Sequence, residues 1–321
     1  MATGEQLKAL LLSHFSNDEE RFITLALQIA AHEAKSGRTN VATDVRKIID
    51  RAKTSHPRLK PLNKELEGVV LESVPEYNLK DLIVPAAQVK RIVRLLTEYH
   101  QRSKLRSHGL ENRRKVLLEG PPGTGKTMTA SIIANELGLP LYIIMMDKMV
   151  TRFMGETSAR LRQVFELIQE KRGVYLFDEF DAIGGERSKD NDVGEMRRVL
   201  NSFLQFLERD NSDSIIVAAT NIHNLLDQAL FRRFDDVLHY EIPSIDEISE
   251  LLITRLGTFK SNFSIKPIAK SSLGLSHAEI TRVCFDAIKE TILSNEKTVK
   301  RDTLLANIVE RQNAYEKFVK R

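Results

Sequence analysis

At 321 residues the chain is longer than most single compact domains, so two or three domains are expected. Apolar residues make up 42% and charged residues 29%, which excludes an intrinsically disordered chain. The net charge of +4 comes from 48 basic against 44 acidic residues, a mixed-sign surface that does not by itself point to nucleic acid. Trp is absent and aromatics are 6%, leaving the core to Leu, Ile, Val and Ala. The single cysteine, Cys284, excludes an intrachain disulfide and a zinc site built on several thiolates; between Val283 and Phe285 it reads as a small core residue. No apolar run approaches the roughly 18–20 residues that cross a bilayer. Met1-Ala2-Thr3-Gly4-Glu5 lacks a signal-peptide profile, so a cytoplasmic protein without a membrane partner is expected.

In chain order, residues 1–54 read as a small helical domain. Asn17-Asp18-Glu19-Glu20 has the form of a helix start, and Phe22, Leu25, Ala26 and Ile29 follow at helical spacing. Gly37 is a stop signal, and a further helix is expected over Val41–Ala52. Residues 55–74, with Pro57 and Pro61, read as a linker. Residues 75–243 are expected to form an α/β subdomain, whose alternation of strands and helices begins at about residue 112. Lys115–Glu119, Leu141–Met145, Val174–Phe177, Ser214–Ala218 and Val237–Ile242 are near-continuous apolar runs separated by helical stretches, which predicts a parallel five-stranded sheet between helices. Residues 244–321 are helical throughout, with Ser276-His277-Ala278-Glu279 as a capping box that opens a long helix.

Gly120-Pro121-Pro122-Gly123-Thr124-Gly125-Lys126-Thr127 follows the first of these strands directly and opens a helix that continues through Met128. This is the P-loop pattern in the context its chemistry requires. The glycines let consecutive backbone amides curl around phosphates, and the helix amino terminus adds partial positive charge. Lys126 suits the β- and γ-phosphates, and the Thr127 hydroxyl suits Mg²⁺. At ordinary glycine frequency the four fixed positions arise by chance in roughly one chain in a hundred of this length. ATP with Mg²⁺ is therefore expected.

Val174-Tyr175-Leu176-Phe177 releases Asp178 and Glu179 at the carboxyl end of a buried strand, where ligands collect in open α/β sheets. Asp178 fits the second Mg²⁺ contact, and Glu179 can polarise an attacking water.

Together with the motifs that follow, these segments resemble the AAA+ superfamily and its narrow-sense AAA clade over about residues 75–295. The resemblance implies a P-loop AAA+ module, a carboxyl-terminal helical lid and a homo-oligomeric, usually hexameric, ring. Ala218-Ala219-Thr220-Asn221 is similar to the sensor-1 strand end, which implies that Asn221 orients the water or meets the γ-phosphate. Leu226 to Asp235 is similar to the second region of homology, whose arginines complete a neighbour's site; here Arg232 and Arg233 are adjacent, and either could be the residue that does so. Asp81-Leu82-Ile83-Val84 occupies the place of the family's adenine-contacting segment, which implies Leu82 and Ile83 at the base. Gly274–Glu279 is similar to the lid's nucleotide-side segment, with His277 in place of a glycine. Arg152-Phe153-Met154-Gly155 is similar to the first pore loop of AAA unfoldases, which implies an aromatic and apolar grip on extended polypeptide. The polar stretch Gly184–Asp192 would form a second pore loop.

The compact layout resembles small bacterial AAA ATPases encoded beside subtilisin-like proteases. No His-Glu-x-x-His signature occurs, so any proteolysis must come from a partner in trans, with the amino-terminal helices as the place for substrate or adaptor docking. A motor that remodels, unfolds or disassembles proteins is the expected function. A nucleic-acid motor or loader would need more basic loops than Arg152, Arg187 and Lys189 supply, and an ATP-gated scaffold would not need Phe153.

Overall fold

The computed structural model describes Lys8, residues 25–30, Thr43, Leu66 and residues 68–149, 156–181, 192–221, 231–260 and 262–319. The chain divides into two compact units, Met1–Leu62 and Asn63–Arg321. In the first, residues 25–30 are helical with Ala26 and Ala30 buried; the expected start at Asn17, the stop at Gly37 and most of the Val41–Ala52 helix lie outside the described residues.

The second unit holds a six-stranded sheet of order β1-β3-β4-β5-β2-β6. Its strands are β1 (Val70–Ser73), β2 (Lys115–Glu119), β3 (Leu141–Met145), β4 (Val174–Asp178), β5 (Ile215–Thr220) and β6 (Asp236–His239). The five expected strands are all present and mutually parallel. The sixth, β1, pairs antiparallel with β3 and lies within the stretch read as linker. It is a correction to the five-stranded sheet, and its physical reason is its place at the edge. Only one flank is hydrogen-bonded, and Leu71 and Glu72 are exposed, so Val-Leu-Glu-Ser carries no apolar run to read.

Helices α1 (Ala86–His100), α2 (Arg102–Ser107), α3 (Lys126–Leu137), α4 (Met146–Met149), α5 (Glu156–Glu170) and α6 (Asp192–Arg209) accompany the sheet. On α1, Ile92, Leu95, Leu96 and Tyr99 recur at helical spacing and are buried in one core with Val116, Leu118, Leu176 and Val217 of the strands. On the α5–α6 side, Phe165 stacks on Phe177 at 5.9 Å, and Phe203 meets Phe177 edge-on at 5.1 Å. Among the described residues, four further helices belong to the unit: α7 (Ile245–Leu256), α8 (Ile265–Ser271), α9 (His277–Leu293) and α10 (Arg301–Val319). They enclose a second core of Ile248, Leu252, Ile268, Ile280, Cys284, Leu304 and Ile308. Ser244 and Glu247 form a reciprocal capping box on α7, and Ser276 caps α9 by accepting the Glu279 amide at 3.4 Å. No described helix is long and apolar enough to cross a membrane.

Candidate nucleotide site

The carboxyl ends of β2, β4 and β5 meet at one edge of the sheet, because Glu119 pairs with Thr220 and Phe177 with Ala218. Strand β2 sits between β5 and β6 although β3 follows it in the chain, so the strand order reverses there and opens a crevice at its carboxyl end. The P-loop leaves β2 at that point. Gly120 has φ +149°, and a Cβ there would lie 2.2 Å from the Tyr240 carbonyl. Gly123 has φ +73°, and its Cβ would lie 2.6 Å from Ser276 Oγ. Gly120 therefore allows a backbone approach that any side chain would block, and Gly123 leaves room for the side chains of Ser276 and Ala278. The Thr124 hydroxyl closes the loop on the Pro121 carbonyl at 2.7 Å, and Pro122 is exposed. Gly125, in the left-handed region at φ +104°, turns the chain into α3. Met128, partly buried, packs on the sheet core.

Lys126 Nζ donates to the carbonyls of Gly120 and Pro121 at 2.6 and 2.8 Å and to Asn221 Oδ1 at 2.9 Å. Burial lowers its pKa to about 8, against the opposing pull of Asp178 and Asp181. An ammonium held mainly by carbonyl dipoles in a partly dehydrated loop favours an anion, which fits a phosphate there. Thr127 Oγ1 donates to Asp178 Oδ2 at 2.9 Å. A hydroxyl and a carboxylate oxygen already in register are the pair of hard ligands Mg²⁺ takes from protein beside phosphate. Asp178 Oδ1 accepts the Glu179 amide at 3.0 Å, and Glu179 stands exposed in the left-handed region at φ +52°. Such a conformation is costly for a residue other than glycine. It is held by the next residue, Phe180, fully buried with its amide on the Ala219 carbonyl at 2.9 Å.

Two contributors escaped the sequence reading. Asp181 Oδ1 accepts the Asn221 amide at 3.2 Å, and so fixes the residue that receives Lys126. Its signal was available, since Asp181 follows Asp178 by three residues. Tyr240 supplies the carbonyl that excludes a side chain at Gly120, and its hydroxyl lies 2.5 Å from Thr129 Oγ1. Nothing in the sequence marks it.

Leu82 and Ile83 are both buried. A Cβ on Gly125 would lie 3.7 Å from Leu82 Cδ1. The Ala278 amide donates to the Gly123 carbonyl at 3.0 Å, which joins the start of α9 to the P-loop. Beside it, burial lowers the His277 pKa, partly offset by the Glu247 carboxylate.

The remaining sequence-predicted residues are elsewhere. Arg232 and Arg233 lie in the turn before β6, separated from it by Phe234 and Asp235, and β6 opens where Asp236 pairs with Val116 at the amino end of β2. Arg233 is ion-paired with Glu208, and Arg232 is exposed. The first pore-loop candidate, Arg152, Phe153 and Met154, lies outside the described residues, as does the second, Gly184–Asp192, except for Asp192, where α6 begins.

The model of the family described as "ATPase family associated with various cellular activities (AAA)" matches residues 116–242. The chain is 36% identical over 307 residues to an uncharacterized AAA family ATPase, y4kL, of Sinorhizobium fredii (strain NBRC 101917 / NGR234), covering 94% of this chain and 92% of that protein. It is 36% identical over 209 residues to a proteasome-activating nucleotidase of Methanopyrus kandleri, covering 61% of this chain and 47% of the relative. It is 35% identical over 206 residues to an ATP-dependent zinc metalloprotease FtsH of Parabacteroides distasonis, covering 61% of this chain and 30% of the relative. The chain belongs to the AAA family, and it is an ATPase.

Proposed function

We propose that the chain is one subunit of a homo-oligomeric ring, a hexamer, that spends ATP to remodel, unfold or disassemble proteins drawn through a central pore. The observation that carries assembly is the position of Arg232 and Arg233. They stand at the amino end of β2 and β6, whereas the P-loop leaves the carboxyl end of β2. The length of β2 separates them by about 15 Å, at roughly 3.3 Å per residue. They are misplaced for the chain's own phosphates and suited to those of a second copy.

Within a site so completed, Lys126 engages the β- and γ-phosphates, backed by Gly120–Gly125 and Thr124. Thr127 and Asp178 hold Mg²⁺, which neutralises charge on the phosphate oxygens when bound. Glu179 accepts a proton from the attacking water, and Asn221, braced by Asp181, orients it. Leu82, Ile83 and His277 face the base side. Arg152, Phe153 and Met154 line the pore, residues 1–54 dock substrate or adaptor, and the lid of residues 244–321 responds to nucleotide. Two relatives are named for proteasome activation and for ATP-dependent proteolysis, which supports protein substrates; a protease supplied in trans and a cytoplasmic setting belong to the same proposal.

The test is the steady-state ATPase rate against protein concentration, with and without an unfolded model protein, for wild type and Phe153→Ala. The reading expects a per-subunit rate that rises with concentration and is stimulated by polypeptide, with the stimulation lost in Phe153→Ala. A rate indifferent to concentration, polypeptide and Phe153 would leave an ATPase but overturn the protein-threading ring, in favour of a scaffold or a nucleic-acid motor.

A further inference from the structure

The turn that carries the paired arginines is fixed from behind. Phe234 is buried, Asp235 Oδ2 accepts the amides of Arg114 and Lys115 at 2.9 Å each, and Asp236 is paired with Arg91. With the backbone held at these points, the reach of the turn resides in its two arginine side chains, and these differ. The Arg233 guanidinium is paired with Glu208 Oε1 in the last turn of α6. Arg232 is exposed and has no hydrogen bond or ion pair among the described residues.

We propose that Glu208 is a positioning residue: it holds Arg233 as a fixed post and leaves Arg232 as the side chain that reaches the γ-phosphate of the neighbouring subunit. The inference rests on the shared-site reading above and divides the work between two residues that the sequence leaves equivalent.

The physical grounds are charge and rotamer freedom. Two adjacent guanidinium groups repel, and the Glu208 carboxylate neutralises the one it binds. Arg233 then presents little net charge to a phosphate, whereas Arg232 keeps its whole charge and its planar fork of donors for bidentate contact. An exposed ion pair contributes little to global stability. It need not do so here, because Phe234 and Asp235 already hold the backbone. The pair has only to select one rotamer of Arg233 and hold it clear of Arg232.

The test is a charge exchange, read as ATPase turnover at ring-forming concentration, with affinity for a fluorescent ATP analogue as the check on folding. Arg232→Ala is expected to lower turnover by about 10³-fold or more, the scale of an arginine supplied across an interface. Arg233→Glu and Glu208→Arg are each expected to lower it by about tenfold, and the double exchange Glu208→Arg/Arg233→Glu to restore it to within about threefold of wild type. A catalytic Arg233 could not be replaced by Glu, so an exchange as inactive as Arg233→Glu, with nucleotide affinity intact, overturns the proposal. If the exchanged protein does not fold, the lysine variants decide. Lys keeps the charge that Glu208 binds but not the planar fork, so Arg233→Lys should stay active and Arg232→Lys should not. The reverse pattern overturns the assignment. Failure of the shared-site reading looks different: full activity with both arginines replaced by alanine.

Discussion

Leu82 and Ile83 are consecutive in the chain yet belong to different cores. Leu82 is buried with Ile133, Leu118 and Tyr240 on the sheet, and Ile83 with Ile248, Ile280 and Val283 among the carboxyl-terminal helices. One dipeptide thus joins the two cores beside the nucleotide loop. Leu82→Ala should lower global stability by about 2–4 kcal/mol, as other buried leucines do. Ile83→Ala should act locally, raising hydrogen exchange in α7 and α9 while β2, β4 and β5 stay protected. Equal loss of protection in the strands would show that Ile83 is not confined to the helical core.

The close approach at Gly120 gives a sharper prediction. Since a Cβ would lie 2.2 Å from backbone, no side-chain rearrangement can relieve Gly120→Ala. Either β6 shifts or the loop opens, so nucleotide affinity should fall at least about tenfold. Calorimetric titration measures this, and unchanged affinity would contradict the placement of Tyr240.

Cys284 provides a pH test of the helical core. Burial pushes its thiol up to about 12 from its ordinary value near 9.0, against a small opposing pull from Arg255. The folded state therefore binds a proton that the unfolded chain releases, and stability should fall as pH rises from about 9 toward 12. Cys284→Ser should flatten that part of the stability–pH profile. The native thiol should also resist a disulfide reagent at pH 8 and react once the protein is unfolded. Rapid reaction of the native protein would refute its burial.

Legibility in the sequence followed the physics of each element. Strands β2 to β5 were plain because parallel strands buried on both faces must be apolar along their whole length. β6 was read as Val237–Ile242 but spans Asp236–His239. The apolar residues beyond it deceived: Tyr240 is buried in the sheet core outside the strand, and Ile242 is exposed. The P-loop and Asp178 were legible because phosphate and Mg²⁺ chemistry restrict the residues that can serve. Asp181 and Tyr240 were not marked as site residues, because each acts through a carboxylate or carbonyl that many other residues could supply. The Glu208–Arg233 pair joins residues 25 apart in sequence, and no local pattern indicates it.

The roles of Lys126 and Glu179 separate in binding and turnover. Lys126→Ala should abolish nucleotide binding, measured with a fluorescent ATP analogue. Glu179→Gln should keep binding and lose about 10²–10⁴-fold in turnover, the usual contribution of a general base. Normal turnover by Glu179→Gln would remove it from the reaction.

The central claim is that each site is completed by a second copy of the chain. The direct measurement mixes two inactive proteins, Glu179→Gln and the double variant Arg232→Ala/Arg233→Ala, and follows ATP hydrolysis across mixing ratios. A double-variant subunit keeps its own Glu179, and a Glu179→Gln neighbour can lend it an intact arginine turn. The account predicts activity that is absent from either protein alone and greatest at intermediate ratios. A mixture that stays inactive at every ratio, while both proteins bind nucleotide and co-assemble, would contradict a site shared between subunits.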